Sequence, residues 1–159
     1  EGEYRRLAGE VLELWGQSGV PCILHGFPKA AADLGAEALH LPLPVLRALP
    51  ERERGAFRRL GASCHSVEDA REAEALGCTC ITAGHVFETD CKAGMPGRGL
   101  DFLRAVCGAV RIPVYAIGGV APENFSAVLT AGAAGGCVMS GLMTCADPRA
   151  YLARFSREE

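Results

Sequence analysis

Apolar positions along the chain alternate between two spacings. Tyr4, Leu7, Val11, Leu14 and Trp15 recur at roughly helical intervals and stop at Gly16, which predicts a helix over 1–16. Short apolar runs bounded by Gly or Pro then predict strands over 20–24, 38–41, 58–63, 79–83, 112–117 and 136–139. Helix-like stretches fall between them: 29–34, a short one over 43–49, 67–76, 100–110, a stretch with Asn124 near its start, and a last one over 150–155. Ser66 fits the cap position of the 67–76 helix, with Glu68, Asp69 and Glu72 early in it and Gly77 as its stop.

Strand and helix therefore alternate about six times, which predicts an α/β domain built on a parallel sheet. Strands this apolar are expected to be buried on both faces. A doubly wound sheet and a closed (β/α)₈ barrel both fit the pattern. A closed barrel takes about 200 to 250 residues. At 159 residues the chain is short by roughly two βα units. It opens on Glu rather than Met, inside a helical pattern, so a missing front end is expected. No linker or second domain is visible over 1–159.

Composition narrows the partners. The net charge of -3 argues against nucleic acid or an anionic membrane surface. No apolar run reaches the roughly 18 residues of a membrane-spanning helix, and the start lacks a signal-peptide pattern. The 8 cysteines sit mostly inside apolar strand patterns and form no Cys-x-x-Cys. They read as small buried hydrophobes of a cytosolic protein rather than as a disulfide or metal framework.

Candidate chemistry lies where strands end. Ile117 runs into Gly118-Gly119, and Val138-Met139 into Ser140-Gly141. Two successive strands ending in small residues suggest backbone N–H groups presented to an anion. The 84–99 loop is long and contains Thr89, Cys91 and Lys92, a hydroxyl and a cation that could fold over that anion. Period two puts Gly61, Ser63 and His65 on one strand face, with His65 at the carboxyl end. Histidine exchanges protons near neutral pH, yet one that caps a helix or bonds a carbonyl would look the same in sequence. His25 and His85 follow strands and could line the mouth, whereas His40, inside an apolar strand, reads as packed. No two histidines have the spacing of a zinc-binding helix.

Taken in order, Gly61-Ala62-Ser63-Cys64-His65-Ser66, then 84–92 (GHVFETDCK), Ala116-Ile117-Gly118-Gly119-Val120 with Glu123-Asn124, and Val138-Met139-Ser140-Gly141 resemble the thiamine phosphate synthase/TenI superfamily. The resemblance runs from about Val20 onward, and the wording of the long loop is similar to the TenI branch, the thiazole tautomerases. It implies a TIM (β/α)₈ barrel, here incomplete, lacking about the first two βα units. It also implies His65 as catalytic acid/base, with Thr89, Lys92, Gly118, Gly119, Met139 and Ser140 binding a substrate phosphate. The activity implied is a metal-independent proton shift on a thiazole carboxylate phosphate in thiamine biosynthesis, with no cofactor. The implied alternatives are thiamine phosphate synthase, which condenses a pyrimidine pyrophosphate with thiazole phosphate using Mg²⁺, and a non-catalytic phosphate-binding regulator. Synthases carry an Asn-Asp pair after the third barrel strand and an acidic residue after the fourth, where this chain has His25-Gly26 and Leu41-Pro42-Leu43-Pro44. Their loop also resembles Thr-x-Thr-Lys rather than Thr89-Asp90-Cys91-Lys92. Exposed strand edges in a short barrel are expected to self-associate, giving a homo-oligomer.

Overall fold

The structure, a computed structural model, describes residues 1–155. Helix α1 (Gly2–Trp15) precedes β1 (Leu24–His25), α2 (Pro28–Asp33) and β2 (Ala38–Pro42). Helices α3 (Leu43–Ala48) and α4 (Glu51–Arg54) lead to β3 (Arg59–Cys64) and α5 (Val67–Ala75). Strand β4 (Cys80–Gly84), α6 (Gly99–Ala109), β5 (Val114–Ile117) and α7 (Pro122–Thr130) follow. The described chain finishes with β6 (Gly135–Cys137), α8 (Ser140–Thr144) and α9 (Pro148–Ala153).

All six strands are parallel and pair in chain order, β1 to β6. A doubly wound sheet would reverse its order at a switch point; this one never does. It curls as an open part of a (β/α)₈ barrel, with β1 and β6 unpaired with each other among the described residues. The barrel expectation therefore holds over the doubly wound alternative.

Alternation along the strands sorts the two faces. Leu39, Leu41, Leu60, Ala62, Ile81, Ala83 and Ala116 are almost fully buried. They belong to one core with Ala70 and Ala73 of α5, Leu103 and Val106 of α6, and Val128 of α7. The intervening residues lie on the concave face, and there the expectation of burial on both faces fails. Tyr115 and Ile117 are 36% and 41% exposed because nothing in the open arc stands opposite them.

Several boundaries also moved. The 20–24 strand shrinks to Leu24–His25; Pro21 lacks a ladder N–H, and Val20 and Ile23 are exposed. The 112–117 strand starts at Val114, because the N–H groups of Arg111 and Ile112 donate instead to Glu74 Oε1 at 2.7 and 3.2 Å. The 136–139 strand stops at Cys137, after which Met139 turns into α8, a helix the pattern did not suggest. Nor did it suggest α4. All eight cysteines are unpaired, and only Cys64 and Cys78 are buried, fewer than the sequence pattern suggested. Burial pushes both of those thiols up to about 12, so they stay protonated. No helix among the described residues is long and apolar enough to cross a membrane.

Candidate functional site

Because the strands are parallel, every β-to-α turn opens at one end of the arc. A cavity of about 550 Å³ lies there, lined by turns after β3, β4, β5 and β6. All seven residues singled out in the sequence line it: His65, Thr89, Lys92, Gly118, Gly119, Met139 and Ser140.

His65 sits immediately beyond β3, just before the cap of α5. Ser66 Oγ accepts from Asp69 N–H at 3.0 Å, and Asp69 Oδ2 in return accepts from His65 N–H at 2.8 Å. This reciprocal cap secures the His65 backbone. Its Nδ1 lies 2.8 Å from the Gly84 carbonyl oxygen at the end of β4. A carbonyl can only accept, so in the neutral ring Nδ1 carries the proton and Nε2 keeps its lone pair. Those bonds alone would suit a structural histidine; the ring's exposure in the cavity leaves Nε2 able to work.

The 84–99 loop is ordered by its own packing. Val86 N–H donates to Ile117 O at 2.9 Å, and Phe87 N–H to Gly118 O at 3.0 Å. Buried His85 borders the cavity, as its place after β4 suggested, and bonds the Met95 and Pro96 carbonyls through Nε2, at 3.4 and 3.1 Å, which braces the loop. Asp90–Lys92 forms a short 3₁₀ turn. Lys92 is exposed, and among the described residues no carboxylate lies within ion-pair distance of it.

Gly118 and Gly119 adopt φ of +92° and +66°, the left-handed region that favours glycine. A Cβ on Gly118 would run into the Cβ of His85, and one on Gly119 into the Glu88 carbonyl oxygen, with Phe87 Cβ at 2.7 Å. The pair is thus needed for close approach of the 84–99 loop as well as for a bare turn at the cavity. Asn124 fastens the same turn: Oδ1 accepts from Ala121 N–H, and Nδ2 donates to Gly119 O, both at 2.9 Å. Ser140 is the first residue of α8, and Met139 before it is 63% exposed.

Other lining residues escaped the sequence reading. Ser63 and Thr82 come from the concave faces of β3 and β4, and Glu88 from the loop. Tyr151 reaches the cavity from α9, its hydroxyl seated where a Cβ on Gly141 would be. Ring contacts of Phe155 with Tyr151 and Phe125 join α9 to α7. Strand periodicity had put Ser63 on one face with His65 without marking it as a lining residue; nothing local points to Tyr151.

The residues present do not fit a magnesium site. At the positions where the resemblance implied synthase carboxylates, the ends of β1 and β2 offer an imidazole and Pro42-Leu43, and a hard cation wants several oxygens. Glu88 and Asp90 reach the cavity from the loop alone. Among the described residues no group of three or more His, Cys, Asp or Glu side chains could hold an ion.

Comparison with known proteins agrees with the fold and extends it. Residues 1–142 match the family described as thiamine monophosphate synthase. The chain belongs to this family. Relatives include thiamine-phosphate synthases of Caldivirga maquilingensis, 34% identical over 98% of this chain and 77% of that protein, and of Moorella thermoacetica, 36% identical over 96% and 73%. A solved structure titled thiamine phosphate pyrophosphorylase from Pyrococcus furiosus superposes with a TM-score of 0.80 at 29% identity, covering 96% of this chain and 74% of the other. The chain spans about three quarters of the length of these family members. Their names favour the synthase alternative over the tautomerase expected from the loop.

Proposed function

We propose that this chain is a thiamine-biosynthesis enzyme that binds a thiazole phosphate in the cavity at the strand ends. The phosphate is held at Gly118, Gly119, Met139 and Ser140. Thr89 contributes a hydroxyl and Lys92 a cation over it. His65 Nε2 faces the bound ring as its acid/base group. The reaction best supported is the transfer for which the relatives are named: joining thiazole phosphate to a pyrimidine pyrophosphate. The observation carrying it is 34–36% identity to thiamine-phosphate synthases over nearly the whole chain. In that reaction the thiazole nitrogen forms a bond to the pyrimidine methylene carbon as the carbon–oxygen bond to pyrophosphate breaks. Lys92 and Thr89 are the groups of this chain that meet the departing anion.

One observation favours a second reading, the proton shift of a thiazole tautomerase. His25-Gly26 and Pro42-Leu43 stand where a synthase holds its metal carboxylates. A proton shift needs only a positioned acid/base and a phosphate anchor, both of which suit the cavity. His65 Nε2 would take a proton from one ring position and return it at another, leaving the aromatic isomer.

A single pair of incubations separates the two. Thiazole phosphate plus pyrimidine pyrophosphate, with and without Mg²⁺, should yield thiamine phosphate if the transferase reading holds. Thiazole carboxylate phosphate alone should change its ultraviolet spectrum and exchange ring hydrogen with D₂O if the tautomerase reading holds. Binding of thiazole phosphate with neither product would leave a phosphate-binding regulator.

A further inference from the structure

His40 read as a packed strand residue, but its ring has a specific task in the tertiary structure. It projects from β2 on the concave face and crosses β3 where Gly61 has no side chain; a Cβ there would stand 2.6 Å from Nδ1. The gap lets Nε2 reach Ser63 Oγ at 3.0 Å on β3 and Thr82 Oγ1 at 3.4 Å on β4. Ser63 and Thr82 are paired across the two strands, and both line the cavity, whereas His40 does not. Ser63 also shares its strand face with His65, two residues on.

The geometry points to His40 as a positioning residue: from behind the cavity wall it sets the direction of the Ser63 and Thr82 hydroxyls, and through them the bound ring beside His65. A hydroxyl otherwise rotates freely and presents a donor or an acceptor to a ligand at random. One imidazole nitrogen against two hydroxyls removes that freedom. Only a neutral ring can accept as well as donate, and the surroundings keep it neutral. Burial, and after it the His25 ring stacked 5.9 Å away from β1, lower the His40 pKa to about 4. Cys80 Sγ borders the same Gly61 gap from β4, a thiol that burial holds protonated.

The assignment rests on the thiazole phosphate reading of the cavity, and the test separates the two. In the full chain, His40→Leu should lower kcat about 10- to 100-fold with KM changed less than about threefold, the pattern of a misaligned substrate. His40→Gln, whose amide nitrogen reaches the same depth, should restore most of kcat. Ser63→Ala should also lower kcat, and the double variant should lose less than the two single losses combined, because part of each loss runs through the same contact. Should His40→Leu fail to fold, Ser63→Ala beside His40→Gln carries the comparison. Normal turnover in His40→Leu, a KM-only effect, or additive losses would overturn the His40 assignment and leave the functional reading standing. A parent chain that neither turns over nor binds thiazole phosphate would overturn both.

Discussion

His65 Nε2 is aimed by a bond on the far side of the ring: with Nδ1–H given to the Gly84 carbonyl, one nitrogen is left for chemistry. If that nitrogen moves the substrate proton, His65→Ala should reduce kcat about 10²- to 10⁴-fold, measured on whichever product the paired incubations reveal. Full activity would remove His65 from the reaction. His40 makes a different prediction, about stability. Its folded pKa of about 4 lies below its ordinary value of 6.5, through burial first and His25 second. Between those values the unfolded chain takes up a proton that the folded chain refuses. His40 therefore costs no stability above about pH 6.5 and destabilises increasingly as pH falls towards 4. Urea midpoints at pH 7 and pH 5 should differ less in His40→Gln than in the parent; an equal fall would mean His40 titrates normally. Sequence placed His65 at the carboxyl end of β3, where the structure has it in the cavity, because period two and a cap signal coincide there. It read His40 as packed, which the structure bears out, but its hydroxyl partners were not legible, since a gap at Gly61 and a hydroxyl on β4 belong to neighbouring strands.

At the scale of elements, the long 84–99 segment is ordered by its packing. It docks on Gly118 and Gly119, whose absent side chains make room for His85, Phe87 and Glu88. Gly119→Ala would set a methyl against the Glu88 carbonyl at a φ of +66°. We expect a loss of about 1–3 kcal/mol, the usual range for overpacking, read from urea denaturation, together with weaker thiazole phosphate binding. Unchanged stability would mean that the loop yields without cost. The glycine pair stood out in sequence because bare strand ends recur there. Its part in seating the loop depends on a segment some thirty residues earlier in the chain and was not legible. Strand existence came through clearly from apolar runs, whereas the ends of β1, β5 and β6 moved. There the deciding events were Pro21, the Glu74 carboxylate and the onset of α8.

For the whole molecule, the open arc leaves the edges of β1 and β6 without a paired strand among the described residues, and part of the concave face exposed. Ile117 and Met139 are 41% and 63% exposed at the cavity end, and unpaired edges template further pairing. The 159-residue chain should therefore sediment above its monomer mass, with Ile117→Lys shifting it towards monomer. A cooperatively folding monomer at high concentration would contradict this. Sequence by itself determined the alternating α/β class, the parallel sheet, the strand-end glycines and the family wording of the loop, because each depends on local spacing and residue type. Tertiary structure alone decided three things. Consecutive strand pairing chose the barrel over the doubly wound sheet, since both share the same periodicity. Curling of the strands brought His65, Thr89, Lys92, Gly118 and Ser140 to one cavity, although they span three quarters of a hundred residues. Strand-to-strand register gave His40 its hydroxyl partners, because contacts between adjacent parallel strands are set by pairing across the sheet and leave no trace in the spacing along the chain.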